Sequence, residues 1–436
     1  MKRNKKRVDI TQNTLTTNIL FVLFLLVVYR LGSHIPLPGV NINILNQMTQ
    51  YYSRGIFGMF NVLTGGSLGR MSILTLNIMP YITASILMQL FSILFKELAE
   101  LKKSGLEGRK RIDLYSRCFA VFIAMVQGYG IAKGLESFTH NGIVLVENAS
   151  FLFRLVAVLC LVSGTVIMMW FADQINTRRL GNGSSIIIFV SIVSGLIPSF
   201  ISLLQMARDS IVSIQFVFLA LISLLVIVVL VVLMETAERR ITIYHPRKQV
   251  GNKIYSSNQT YLPLKLNIAG VIPPIFANSL LLFPVMVIGF QKKSFLQPIV
   301  ENYLAQGKPL YILFDIILIF FFCYFYGSIV FNAKETADNL RKTGSYIVGI
   351  RPGIHTSRYL NAIVSKLAFI GASYISCICV VPEFIITYCN IPLYIGGTSI
   401  LIVISVVLEL STKIRVYLLN QKYKHLSNRV NIMIAG

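Results

Sequence analysis

The sequence predicts an all-α polytopic membrane protein with ten transmembrane helices packed around a lined cavity. Three observations lead there. Of the 436 residues, 55% are hydrophobic and only 13% charged, a balance that a soluble chain of this length does not keep. Apolar stretches near the ~20 residues needed to cross a bilayer recur along the chain. Finally, Phe60–Leu90 is apolar yet broken: Thr64, Gly65, Gly66, Gly69, Arg70 and Ser72 interrupt its first half. Its second half carries Asn77, Pro80, Ser85 and Gln89 in an otherwise apolar run. Irregular backbone at membrane depth is tolerated only where protein buries it or where it lines a water-filled cavity.

The spans fall near residues 17–33, 75–95, 115–135, 151–172, 184–206, 211–234, 268–290, 310–332, 365–388 and 393–412. The first reads as a span rather than a signal peptide, because it lacks a small-residue cleavage site and runs into Arg30-Leu-Gly-Ser-His-Ile-Pro36. With the basic start Met1-Lys-Arg-Asn-Lys-Lys-Arg7 on the cytoplasmic side, alternation places 31 of the 40 lysines and arginines inside. This satisfies the positive-inside rule and puts both termini in the cytoplasm. Six cysteines, Cys118, Cys160, Cys323, Cys377, Cys379 and Cys389, show neither metal-site nor disulfide spacing and read as buried packing.

Two cytoplasmic loops, 235–266 and 333–365, are longer than connections require. They mix basic residues with turn and strand formers, as in Arg239-Arg-Ile-Thr-Ile-Tyr-His-Pro-Arg-Lys248 and Val348-Gly-Ile-Arg-Pro-Gly353. Topology and anionic lipid account for short basic clusters such as Lys102-Lys103. Loops of this size point instead to a docking surface for a large, negatively charged partner.

The middle of the spans carries almost no charge, with Asp315, Arg154 and Glu409 away from the centre. Ion-coupled transporters place carboxylates or histidines there. No phosphate loop, zinc motif or nucleophile constellation is present. The chain therefore reads as a non-enzyme without cofactor or metal, drawing energy from elsewhere. A secondary transporter of small solutes is the alternative class. Positions 78, 82, 85 and 89 share one helical face reading Ile, Ile, Ser, Gln, and Ile402, Ser405 and Glu409 repeat the pattern in the last span. Two such faces form either a cytoplasmic funnel narrowing to an apolar constriction or two ordinary packing faces.

Seven motifs in order make the reading specific. They are Arg30-Leu-Gly-Ser-His-Ile-Pro-Leu-Pro-Gly39, Asn77-Ile-Met-Pro-Tyr-Ile-Thr-Ala-Ser85, Leu180-Gly-Asn-Gly-Ser-Ser-Ile-Ile-Ile188 and Leu262-Pro-Leu-Lys-Leu-Asn-Ile-Ala-Gly-Val-Ile-Pro273. Glu335-Thr-Ala-Asp-Asn-Leu340, Gly349-Ile-Arg-Pro-Gly353 and Gly396-Gly-Thr-Ser399 complete the set. Together they resemble the SecY/Sec61 alpha family of protein-conducting channels from about residue 17 to 420. The resemblance implies two pseudo-symmetric five-helix halves, 1–206 and 207–436, around a central hourglass pore. It implies a plug half-helix over 60–74, including Phe60, Asn61, Leu63, Gly65, Gly66, Leu68 and Arg70. The pore ring maps to Ile78, Ile82, Ser184, Ile188, Ile275 and Ile402, with Ser184 departing from the usual bulky aliphatic residue.

The resemblance further makes spans 75–95 and 268–290 a lateral gate carrying Asn77, Gln89, Asn267 and Asn278. It assigns Arg240, Arg247, Lys248 and Arg351 to docking of the SecA motor ATPase and the ribosome, including ribosomal RNA. Other implied partners are SecE-like and SecG-like small membrane subunits, signal sequences of client proteins and anionic lipids. The implied function is passage of unfolded secretory proteins across a bacterial inner membrane, with sideways release of transmembrane segments into lipid.

Overall fold

The computed structural model describes residues 2–41, 61, 64–137, 139–140, 143–144, 146, 150–178, 180–209, 214–245, 248–250, 253–255, 259–289, 308–389 and 396–434. Helix α1 (Lys2–Gly32) leads to a turn-rich segment, then α2 (Met79–Leu94), α3 (Lys96–Lys103) and α4 (Leu106–Ser137). A small hairpin, β1 (Thr139–His140) and β2 (Ile143–Val144), precedes α5 (Phe151–Thr177), α6 (Gly183–Arg208) and α7 (Ile214–Thr236). Strands β3 (Glu238–Tyr244), β4 (Lys248–Val250), β5 (Lys253–Tyr255) and β6 (Gln259–Lys265) come next. Helices α8 (Ile272–Gly289), α9 (Pro309–Val330), α10 (Ala333–Lys342), α11 (Ile354–Cys389) and α12 (Gly397–Ile434) complete the chain.

Each predicted span falls on one of the longer helices, α1, α2, α4 to α9, α11 or α12. Among the described residues, five helical stretches are long and apolar enough to cross a membrane: Leu106–Glu136, Phe151–Thr177, Gly183–Ile201, Pro309–Lys342 and Ile354–Phe384. Helix α2 with α3 makes a sixth, bent by 107° at the break between them. The long helices expose rows of large apolar side chains, including Phe218, Ile222, Leu225 and Leu233 on α7 and Ile317 and Phe321 on α9. An outside this apolar suits hydrocarbon as its solvent. The expectation that the cysteines are buried needs correction on this ground. Cys323 and Cys379 are buried, but Cys118 and Cys377 are exposed on the bundle surface, where an apolar thiol needs no water.

The interior divides into two apolar clusters. The first gathers α1, the turn segment, α4, α5 and α6, together with Ile402 and Val406 of α12. The second gathers α7, α8, α9 and α11, with Ile86 of α2 and Ile400 and Leu401 of α12. Helices α2 and α12 therefore line a seam, and Ile82, Val271 and Ile275 pack against both clusters.

Glycines set the closest approaches. A Cβ at Gly183 would lie 2.1 Å from the Ala172 carbonyl oxygen of α5, and one at Gly397 would lie 1.8 Å from that of Ile378 in α11. Small residues let membrane helices meet backbone to backbone in this way. Gly183→Ala is expected to force α5 and α6 apart and lower stability by about 1–3 kcal/mol. Gly130→Ala, in a helix interior with no foreign atom within 4 Å of the new Cβ, is expected to be neutral or stabilising by up to about 1 kcal/mol. Thermal melting of the two variants in detergent checks the contrast.

Candidate pore, gate and docking surfaces

Residues 64–78 leave α1 behind and enter the bundle as a chain of tight turns. The half-helix expected over 60–74 is thus not helical over 64–74. Gly65 and Gly66 sit at φ +68° and +81°, and Met71 and Asn77 at +42° and +52°. Positive φ stops helix propagation, and glycine reaches it without strain. Phe60 and Leu63 lie outside the described residues. Asn61 accepts the Gly69 N–H on Oδ1 at 2.7 Å and the Gly66 N–H on its carbonyl at 2.7 Å. Leu68, Met71, Leu74 and Leu76 are buried, and so are Thr64, Ser67, Ser72 and Thr75.

The turns are bound to their surroundings through few, specific atoms. The Leu37 N–H donates to Met71 O at 2.8 Å and the Ile73 N–H to Ile35 O at 3.0 Å. Arg30 Nη1 donates to Gly65 O at 3.0 Å and to Ser194 Oγ of α6 at 2.8 Å. Arg70 Nη2 donates to the same Gly65 carbonyl at 3.2 Å. Neither guanidinium belongs to a salt bridge among the described residues. One turn earlier on α6, Ser191 Oγ meets Tyr29 Oη at 2.6 Å and accepts from Asn77 Nδ2 at 2.9 Å. Two glycines complete the seat: a Cβ at Gly65 would meet Ser194 Oγ at 2.7 Å, and one at Gly164 of α5 would meet Ile73 O at 2.2 Å.

Asn77 makes the transition into α2. Its Oδ1 accepts its successor's backbone N–H at 2.9 Å, and asparagine tolerates the left-handed backbone this corner needs. Pro80 then stands in the first turn of α2, where its missing N–H costs nothing. Ile78, Ile188 and Ile402 are buried in the first cluster, and Ile82 and Ile275 pack against it. Five of the six ring positions therefore share one apolar cluster at the seam. Ser184 lies one helical turn before Ile188 on the same face of α6, in the first turn. Its N–H and hydroxyl both donate to the N-cap Asn182 Oδ1, at 3.2 and 2.8 Å, so its polarity is absorbed locally.

The four gate amides have different partners. Asn77 is held by α6 as described. Asn267 donates to Glu235 Oε1 at 2.7 Å and exchanges bonds with Gly270. Asn278 Oδ1 accepts from Tyr311 Oη of α9 at 3.5 Å. Gln89 Oε1 accepts from Tyr326 Oη of α9 at 2.9 Å, and this bond crosses the seam.

The two basic loops form one module. Strands β3 and β6 pair antiparallel from Glu238↔Lys265 to Tyr244↔Gln259. Tyr244 and Tyr346 exchange both backbone bonds, at 2.9 and 3.0 Å, and their rings stack with centroids 6.1 Å apart. His245 bridges Ser345 Oγ and Thr260 Oγ1 at 2.7 and 2.8 Å. Beneath lie Ile241, Ile243, Leu264, Ala333, Ile347, Leu360 and Leu367. Arg240 and Arg351 stand exposed on this module. Lys248 begins β4, and Arg247 lies outside the described residues.

Sequence reasoning passed over Tyr29, Ser191, Ser194, Phe276 and Tyr326. Serines three apart on an apolar helix, as at 191 and 194, were a readable sign of a polar contact across helices. Asp315, placed near a span end by the sequence, is buried, and its Oδ1 has no hydrogen-bond partner among the described residues.

The SecY family profile matches residues 72–411. The protein translocase subunit SecY of Rickettsia typhi is 45% identical over 423 residues, covering 97% of this chain and 98% of that one. The protein of the same name from Escherichia coli K12 is 41% identical over 427 residues, covering 97% and 96%. A solved structure described as that of a protein conducting channel superposes with a TM-score of 0.64 at 16% identity, covering 90% of each chain. Sec61 in the canine ribosome-channel complex from the endoplasmic reticulum gives 0.61, also at 16% identity and 90% of each chain. At such identities the structures speak to the fold alone, whereas the sequence relatives run nearly the full length: the chain belongs to the SecY family.

Proposed function

We propose that this chain is the pore subunit of a protein-conducting channel in a bacterial inner membrane. It passes unfolded secretory polypeptides across the bilayer and releases transmembrane segments sideways into lipid. The observation that carries this reading is the isoleucine cluster at the seam, with the stapled turn segment packed beside it. A small apolar constriction resists water and ions by dewetting, yet its side chains give way to a polypeptide.

In this reading ten helices form two five-helix halves, 1–206 and 207–436, with both termini cytoplasmic. Ile78, Ile82, Ile188, Ile275 and Ile402 form the ring of an hourglass pore, with Ser184 at its sixth place. The segment 60–74 is the plug, held by Arg30, Asn61, Gly65 and Arg70. Helices α2 and α8 form the lateral gate. The module carrying Arg240, Arg247, Lys248 and Arg351 docks the SecA motor and the ribosome, whose RNA matches its charge. SecE-like and SecG-like subunits, signal sequences and anionic lipids are the remaining partners.

The deciding experiment reconstitutes the complex with the motor and a secretory precursor. Protease-protected precursor supports the channel, whereas uptake of a small solute without it supports a transporter. Ile82→Asn and Ile402→Asn are expected to hydrate the constriction, raising ion leak and relaxing the signal requirement. Planar-bilayer conductance and export of precursors with defective signals read both effects. Arg30→Gln removes charge-assisted bonds each worth about 1.5–3 kcal/mol, so resting conductance should rise while assembly persists. Arg351→Glu is expected to leave insertion intact and abolish motor-driven secretion, and normal secretion by that variant would remove the docking assignment.

A further inference from the structure

We propose that His245 is the pin between the two basic cytoplasmic loops. It is a positioning residue that sets how tightly the motor binds, by holding Arg240 and Arg351 in one fixed arrangement. The proposal rests on the docking reading above. Each arginine is first tied within its own loop. Arg240 lies in β3, opposite Pro263 of β6. Arg351 follows a turn shaped by Gly344 and Gly349 at φ +71° and +80°, and its carbonyl accepts from Thr356 Oγ1 of α11 at 3.0 Å. Neither tie crosses from one loop to the other.

What does cross is narrow. Among the described residues the two loop backbones meet at one pair, Tyr244 with Tyr346, and a single pair leaves the second loop room to pivot. Burial of Ile347 in the same cluster as Ile241 and Ile243 adds attraction but no direction. His245 supplies the direction. Its Nδ1 lies 2.7 Å from Ser345 Oγ and its Nε2 2.8 Å from Thr260 Oγ1, so one ring ties the end of β3 to β6 and to the second loop. A hydroxyl can donate or accept, so both bonds stand whichever ring nitrogen carries the proton. Ser345 is itself buried, and its N–H donates to Leu340 O at 2.9 Å. Its hydroxyl lies 3.0 Å from Thr343 Oγ1, which donates to the same Leu340 carbonyl at 3.0 Å. The pin thereby reaches the last turn of α10.

Arg240 and Arg351 both stand exposed, one on each side of this junction. A partner that engages both at once binds most tightly when their separation is already fixed, because no loop then has to be ordered on binding. Loosening the pin therefore weakens association without removing either charge. It leaves the transport step, once the motor is bound, as it was. A half-buried histidine between two hydroxyls thus acts on affinity through geometry, not through contact with the motor.

The test titrates the motor against the full complex in vesicles and follows precursor-stimulated ATP hydrolysis. His245→Ala should raise the half-saturating motor concentration about threefold to tenfold, the loss expected of one or two neutral hydrogen bonds, with the maximal rate unchanged. Ser345→Ala, which breaks only the bond between the loops, should raise it about threefold. A cross-link then separates positioning from direct contact. Residues 244 and 346 exchange both backbone bonds, and the Cα atoms of such an antiparallel pair stand about 5.5 Å apart, within disulfide reach. With Tyr244→Cys and Tyr346→Cys oxidised, His245→Ala should have no effect, and with the same pair reduced its shift should return. Unchanged half-saturation in both single variants, a fall in maximal rate alone, or a shift that survives the disulfide overturns the pin. Should His245→Ala fail to assemble, Ser345→Ala with and without the disulfide decides. Arg351→Glu in the same titration tests the docking assignment itself. Unaltered motor binding and secretion there remove that assignment, whereas loss there with no shift at His245 or Ser345 removes the pin alone.

Discussion

Backbone amides have no water to turn to inside a bilayer, and this constraint governs the architecture around residues 64–78. A helix satisfies its own N–H and C=O groups, but a chain of turns does not. The segment meets the requirement by borrowing partners. Backbone groups of residues 35 and 37 pair with those of 73 and 71, Asn61 covers the Gly66 and Gly69 amides, and Arg30 with Arg70 saturates the Gly65 carbonyl. Each borrowed partner dictates something further away. Arg30 requires Ser194, Asn77 requires Ser191, and close approach of Ile73 requires a glycine at 164 in α5. The first half of the bundle is shaped around an irregular segment that it must keep dry.

Those borrowed bonds are also few enough to be exchanged. A regular span would be held by its full helical ladder, and releasing it would expose the whole ladder. Here a handful of side-chain contacts carry the segment. Two guanidinium groups converge on one carbonyl with no salt bridge to either among the described residues. The stopper proposed here, which must seat and leave, would be better served by such contacts than by a continuous helix. The seam follows the same logic. Two apolar clusters fill the bundle, and among the described residues the faces that join them are Ile82, Val271, Ile275 and neighbouring apolar side chains, with the Tyr326–Gln89 bond across them. In the proposed channel, stability would reside within the halves and motion would be left to the boundary.

The basic surface depends on the cytoplasmic module in a comparable way. Arg240 and Arg351 are more than a hundred residues apart in sequence, yet their loops share one apolar cluster and the Tyr244–Tyr346 bridge. Isolated basic loops would present a diffuse, mobile charge. Loops fixed to a hairpin and to the start of α11 present charge on a defined frame.

Much of this was written in local patterns. Hydropathy placed the long helices, because crossing a bilayer needs an uninterrupted apolar length, and the i, i+4 spacing of Ile78 and Ile82 marked residues that do enter the seam cluster. Gly65, Gly66 and Asn77 announced a broken backbone, since these residue types tolerate positive φ. Other features depend on contacts between residues remote in sequence, which periodicity does not encode. The family resemblance implied a half-helix over 60–74, but whether the amides of 64–74 pair within the segment or with Asn61 and residues 35–37 is a tertiary matter. Gln89 appeared as a gate amide, whereas its partner Tyr326 lies 237 residues away. Composition and pattern determined that this chain crosses a membrane with several apolar helices and carries a broken segment among them. Only the folded arrangement decided which polar groups meet, because a hydrogen bond requires two atoms within about 3 Å and a linear pattern says nothing about that distance.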